Sequence, residues 1–394
     1  MNETEFRIFD ILARNLGRQL SIQGIADEVE KAYGKGYYKN IYDATLSLEK
    51  EGLLRIQNSS GSRFAQIDFD SPSISLALTE MEIKRTQQLI KKPLYLALFK
   101  ELEWQFTKHH ASPPWPIESA SIIEDSKSLA LNKAELLFIL RDSNPAMPFE
   151  GGRPTKTSSK ELAQQTEDER KLMYDYARFI STKTNIKISF LSLTAFEFAS
   201  LLISPELNPL KDMLKLQIAV IKPSSYWLQL VKMHYDGMNP AFQSQQCNPA
   251  KLSREEIQAI FSGFGYREFG ANAKPLNYSL ETAIAAALMQ EDARLLEAIP
   301  IILAKNQTLI SYPMLEYLGM KHGKLNLFGY LLSLAINTSS TLKSNLKATS
   351  AMARIASYLR IKKPDKLTPD NWDVRLRITP SDIAKKMSDY DADR

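Results

Sequence analysis

The chain has 394 residues, 44% apolar and 24% charged, which is enough for two or three soluble domains and excludes a disordered or fibrous class. Its net charge of +5 is too mild to argue for nucleic-acid binding by itself; only local clustering carries that weight. One cysteine, Cys247, rules out disulfides within the chain, and with no apolar run near roughly 18 residues and no signal-like start the expected setting is the cytoplasm, without a membrane span.

Phe6, Phe9 and Leu12 recur at helical spacing and predict a first helix over residues 3–14. In SIQGIADEVEKAYG, Ser21 or Gln23 can cap a second helix whose apolar face is Ile22, Ile25, Ala26 and Val29. The GKG turn, Gly34 to Gly36, ends it where positive φ is cheap. A third helix from Tyr37 to Glu51 is expected to bury Ile41, Ala44 and Leu48 and to stop at Gly52. The spacing then changes to period two on either side of NSSGS, predicting a hairpin with Arg63 beside its tip.

Three helices followed by a hairpin is the order of a winged helix. The segments IADEV, YKNIYDATLSLEKEGLL and GSRFAQIDF resemble the winged helix-turn-helix modules of prokaryotic regulators over residues 1–70. That resemblance implies that the third helix enters the DNA major groove and that the hairpin contacts backbone or minor groove. By position, Tyr38, Lys39, Asn40, Asp43 and Ser47 would lie on the outward face of the third helix. Asn40 is suited to reading adenine, and Lys39 and Arg63 to neutralising phosphates. Residues 1–70 nevertheless hold 9 Lys and Arg against 11 Asp and Glu. Use of the module for protein docking therefore stays open beside DNA contact.

Residues 71–116 read as a helical connector: two helices, the second opened by Pro93, and then the proline-rich joint HHASPPWP. Beyond it the order is strand ASIIED, strand ELLFILRD, a long helix from about Ser159 to Ser181, strand NIKISFLSL, helix, strand LKLQIAVI, helix. This is α/β order over residues 117–238. The long helix is expected to pack through Leu172, Met173, Tyr176, Phe179 and Ile180.

The stretch LTAFEFASLLISPELNPLKDMLKLQIAVIKPSSYW resembles the back half of minimal nucleotidyltransferase domains. Archaeal-type proteins that join a winged helix to such a domain look similar over most of residues 1–235. The resemblance implies a glycine-serine turn and paired aspartates that, with a third acid, hold two Mg²⁺ against a nucleoside triphosphate. Here Asp125-Ser126 or Lys127-Ser128 stands where glycine-serine would fall, and Lys133 and Glu135 stand where the aspartates would. Lys187 occupies the place of a third acid. A lysine at a ligand position opposes a cation by charge, so the domain reads as catalytically degenerate, with no cofactor and no metal. The alternative is an active Mg²⁺-dependent nucleotidyltransferase of a toxin–antitoxin or defence type, in which Glu124, Asp125 and Glu135 converge. The four histidines fall in no metal-ligand spacing, and Cys247 has no nearby histidine to make it a nucleophile.

Residues 252–394 read as an all-helical domain, opened by a capping box at Ser253 and Glu256. Between Thr341 and Lys366 the chain holds seven Lys and Arg against one Asp. Lys343, Lys347, Arg354, Arg360, Lys362 and Lys363 form a candidate second nucleic-acid patch. A solvated helix face and a tail account for the same pattern. The expected fold class is thus mixed and multi-domain: an α+β winged helix, a central α/β domain and an all-α end. The leading expectation is a DNA-binding transcriptional regulator or scaffold, homodimeric on double-stranded DNA. The remaining alternative is a structural subunit whose winged helix docks a protein partner.

Overall fold

The computed structural model describes residues 1–59, 61–110, 117–125, 130–141, 159–238, 240, 246–270, 277–307, 309–341 and 380–391. It is a mixed helix and sheet structure with two small sheets. Among the described residues no helix is long and apolar enough to cross a membrane. The chain divides into two units. The first takes in Met1–Lys156, Tyr174–Pro205 and Leu210–Gln245; the second takes in Thr157–Met173, Glu206–Pro209 and Gln246–Arg394.

The first unit begins with α1 (Glu3–Arg14), β1 (Leu20–Ser21), α2 (Ile22–Tyr33) and α3 (Tyr38–Lys50), followed by β2 (Leu54–Ser59) and β3 (Ser62–Ile67). Phe6, Phe9 and Leu12 are buried, as the helical spacing requires, and each removes apolar surface worth about 1.5–3 kcal/mol. Ser21 caps α2 by accepting from Gly24 N at 3.0 Å, and Ile22, Ile25, Ala26 and Val29 form its buried face. The core face of α3 is Ile41, Thr45 and Leu48, not Ala44. Thr45 can be buried because its hydroxyl donates to Ile41 O at 2.7 Å, while Ala44 is only half-buried.

Gly34 takes the left-handed conformation at the end of α2, with φ of 74°. Gly36 is needed for space and not for φ: a Cβ there would lie 2.4 Å from Ala26 O and 2.7 Å from Glu30 N. The hairpin pairs Leu54 with Ile67 and Asn58 with Arg63, and β1 adds a short third strand against β3, giving the order β1-β3-β2.

Two helices follow, α4 (Ile74–Leu89) and α5 (Pro93–His110), and then β4 (Ile117–Ile123) and β5 (Lys133–Leu140). Next come α6 (Ser159–Thr184), β6 (Lys187–Thr194), α7 (Ala195–Ile203), α8 (Pro209–Leu216), β7 (Gln217–Ile221) and α9 (Pro223–Tyr235). The four strands form one mixed sheet in the order β6-β5-β4-β7: β5 runs parallel to β6, and β4 is antiparallel to both its neighbours. Helix α4 packs on β7, α9 on β4, and α7 on β6. The segment LKLQIAVI divides, its first half completing α8 and only Gln217–Ile221 entering the sheet. In α6 the buried positions are Met173, Ala177 and Ile180. Leu172 and Phe179 are exposed, because the i, i+4, i+7 stripe of this helix leaves them on its outer side.

The second unit is helical: α10 (Arg254–Gly263), α11 (Leu280–Gln290), α12 (Ala293–Lys305), α13 (Tyr312–His322), α14 (Leu325–Thr341) and α15 (Pro380–Asp391). The capping box opens α10 with Ser253 and Glu256 in the expected roles. Helix α11 is buried from Leu280 to Leu288, including the Glu281 carboxylate, which accepts from Ser311 N at 2.6 Å. Cys247 lies beside Thr282, its Sγ 3.2 Å from that hydroxyl.

Candidate nucleic-acid interface

Helix α3 begins without a side-chain cap, and its first turn carries no acid. Its first internal backbone bond runs from Ile41 N to Tyr37 O at 3.1 Å, so the N–H groups of residues 38–40 have no partner within the helix. The same end carries the positive pole of the helix dipole. Tyr38, Lys39, Asn40, Asp43 and Ser47 are all exposed; Lys39 and Asp43 lie opposite the buried stripe of Ile41, Thr45 and Leu48, and Tyr38 lies at its edge. Among the described residues Lys39, Asn40 and Asp43 have no side-chain partner, whereas the Ser47 hydroxyl lies 3.4 Å from Glu51.

Arg63 has a definite seat. It projects from β3 over the Tyr42 ring, 5.5 Å from the centroid, and hydrogen-bonds the Tyr42 hydroxyl. Tyr42 in turn lies 5.8 Å from the Tyr38 ring. Hairpin and α3 are thereby joined in one surface by Arg63, Tyr42 and Tyr38, with Tyr37, 71% exposed, beside it. Neither Tyr37 nor Tyr42 stands out in the sequence; the i, i+4 spacing of Tyr38 and Tyr42 was the available signal.

Four of the eleven acids of residues 1–70 are held by arginine side chains. Asp10 is buried, accepts hydrogen bonds from Arg14 and the Tyr33 hydroxyl, and is ion-paired with Arg85. Asp68 and Asp70 both accept from Arg55, and Asp70 also meets His234 at 2.9 Å. Glu3 pairs with Arg7. What remains at the start of α3 and the hairpin is Lys35, Lys39 and Arg63 against Asp43.

The acids considered for nucleotidyl transfer do come together, but around a tyrosine. Burial pushes the Tyr95 hydroxyl up to about 12, the charges of Glu124, Asp125 and Glu135 push the same way, and a hydrogen bond with the Asp125 backbone opposes them. Glu124 is taken by Lys92 at 2.6 Å. Glu135 is buried inside β5, in register with Ile123 of β4 and Ser189 of β6. Lys133 and Lys187 sit opposite each other at the start of β5 and β6. Among the described residues no group of three or more His, Cys, Asp and Glu is arranged to hold a metal ion. Ser126, Lys127 and Ser128 lie outside the described residues, as do Lys343, Lys347, Arg354, Arg360, Lys362 and Lys363 of the basic stretch.

Compared with known proteins, the chain has no matching family model, and no curated protein or solved structure matches it significantly.

Proposed function

We propose that residues 1–70 form a winged helix that binds double-stranded DNA, and that the chain is a cytoplasmic DNA-binding regulator or scaffold working as a homodimer. The observation that carries this is the shared surface of α3 and the hairpin. An uncapped helix start without acids presents Tyr38, Lys39 and Asn40 outward, and Arg63 is braced beside it on Tyr42. Helix N-termini of this kind favour phosphate oxygens, and exposed side chains at the start of a recognition helix are those that reach base edges. The balance of residues 1–70 stays slightly acidic, since Arg14 and Arg55 are consumed with Asp10, Asp68 and Asp70, and the reading rests on the local excess of Lys39 and Arg63 over Asp43. Two copies on paired half-sites would multiply a small single-module interface.

In this reading the four-stranded domain is a nucleotidyltransferase-like scaffold without transfer chemistry, a role favoured by the Lys92–Glu124 pair and the facing Lys133 and Lys187. The gathering of Glu124, Asp125 and Glu135 near Tyr95 is the one observation on the side of an active enzyme. Loss of nucleoside triphosphate that requires Mg²⁺ and disappears in Glu135→Ala would establish that alternative.

The deciding experiment is selection of the purified protein on randomised duplex DNA at two salt concentrations. Enrichment of a motif is the expected result. Binding without enrichment reduces the claim to backbone contact, and no binding at low salt overturns it in favour of protein docking.

A further inference from the structure

The first unit holds a cavity of about 250 Å³ between the end of α1, β3 and α9. Its apolar wall includes Leu16, Phe69 and Leu230, and Asn15, Arg18, Gln66 and His234 supply its polar side chains, the Asn15 amide donating to Ile11 O at 2.9 Å. The lining contains no Asp or Glu. His234 is held in place: its Nε2 meets Asp70 at 2.9 Å, and its ring lies 5.8 Å from that of Phe69. Asp70 is itself bonded by Arg55 at 2.8 Å, so that carboxylate is committed. Arg18 is different. Among the described residues its guanidinium has no carboxylate partner, and the Gln66 amide has no hydrogen-bond partner.

An apolar chamber with a few converging polar groups is the usual form of a small-molecule site. Here those groups are an unneutralised guanidinium and a free amide, with no competing acid. We infer that this cavity binds a small organic carboxylate with an apolar body, the carboxylate meeting Arg18 and the body lying against Leu16, Phe69 and Leu230. A guanidinium presents parallel N–H donors that match a carboxylate, and the single, exposed guanidinium of the lining suits a single negative charge. The volume falls below the roughly 300 Å³ at which clefts for drug-sized ligands begin, which limits the ligand to about one ring or one short branched chain. The occupant would touch Gln66 and Ile67, on the same strand as Arg63. Any effect of the ligand on DNA affinity rests on the function proposed above, but the binding itself does not.

The test therefore uses the full chain without DNA. Benzoate, phenylacetate and hexanoate are titrated by ligand-detected NMR beside benzamide, phenylacetamide and hexanamide, on the wild type and on Arg18→Gln. The exposed position of Arg18 lets the variant fold, which its melting curve checks. The expected result is saturable binding of at least one acid, about tenfold tighter than its amide, with the preference lost in Arg18→Gln. Acids and amides binding alike, a preference that survives Arg18→Gln, or no acid binding at about 10 mM would each overturn the inference.

Discussion

The guanidinium of Arg85 lies against the carboxylate of Asp10, Nε to Oδ1 at 2.9 Å, with both side chains almost wholly out of solvent. The contact makes α4 more than a connector. On one side Arg85 reaches α1. On the other, Glu82 accepts from Arg85 Nη1 at 2.9 Å and from Ala219 N, in β7, at 3.1 Å. One chain of charges thus runs from the first helix through α4 to the edge strand of the four-stranded sheet. Tyr226 is buried near the same group, where desolvation and the Glu82 charge raise its hydroxyl well above the usual range.

Removing the cation should therefore be costly. Arg85→Met leaves Asp10 and Glu82 as buried acids that have lost their shared partner, and loss of about 3–5 kcal/mol is expected in urea denaturation. Without Arg85 the Glu82 carboxyl takes up a proton near neutral pH, so the double variant Arg85→Met, Glu82→Gln should recover part of this only above about pH 7. A single-variant loss below about 1 kcal/mol would mean that the network is not a structural element.

The two carboxylates respond to pH in opposite directions. Burial pushes Glu82 up to about 7, more than Arg85 and the Ala219 N–H pull it down. The folded protein holds this proton more tightly than the unfolded chain does. The contribution of Glu82 to stability is full below its ordinary 4.5, is lost as pH rises from 4.5 to about 7, and is flat above. Burial also acts to raise Asp10, but the Arg85 and Arg14 guanidiniums outweigh it and hold that carboxyl below its ordinary 3.8. Its contribution is present above 3.8 and is lost as pH falls through the lowered folded value. In urea midpoints taken at pH 5, 6 and 8, the wild type should lose stability relative to Glu82→Gln as pH rises. Parallel pH profiles for the two proteins would show that Glu82 does not titrate in this window.

Why this network escaped the sequence reading follows from α4 itself. Glu82 and Arg85 share the buried stripe of α4 with Leu78 and Leu89, at i, i+4, i+7 and i+11, so two charges interrupt what would otherwise be an apolar face. Their partners Asp10 and Ala219 are far away in the chain, and no spacing rule links them. The first two helices were legible because Phe6, Phe9, Leu12 and then Ile22, Ile25, Val29 mark one face each and Ser21 is a local cap, as Ser253 is for α10. Strand β1 is only two residues long and carries no period to read. On the candidate interface the exposed positions of α3 followed from its apolar stripe, but Tyr42 as the seat of Arg63 depends on how the hairpin folds back on the helix.

The turn between α2 and α3 gives a test of how the recognition surface is positioned. Gly36→Ala forces a Cβ onto backbone atoms of α2, at 2.4 Å and 2.7 Å, and neither Ala26 O nor Glu30 N can move without shifting the helix. A loss of about 1–3 kcal/mol is expected. Gly34→Ala meets no atom but must hold φ of 74°, at a cost of about 1–2 kcal/mol. Only Gly36→Ala should also displace the start of α3 and so weaken DNA binding in excess of its effect on folding. Equal effects of both variants on folding and on DNA would reduce Gly36 to an ordinary turn residue.

Arg63, Tyr42 and Asn40 separate backbone contact from base reading. Arg63→Ala should weaken binding to all duplexes and reduce the slope of log affinity against log salt by about 0.9, the value of one phosphate contact. Tyr42→Ala removes the ring and hydroxyl that seat Arg63, so it should reproduce much of that loss although it leaves every cation in place. Asn40→Ala should act differently, costing about 1–3 kcal/mol on the preferred sequence and little on others, with preference blurred at one base pair. The three variants are compared by titration on the selected duplex and on a scrambled one. If Asn40→Ala lowers affinity equally on both duplexes, α3 does not read a base through that side chain. If Tyr42→Ala leaves affinity and salt slope unchanged, the pairing of Arg63 with Tyr42 has no part in holding DNA.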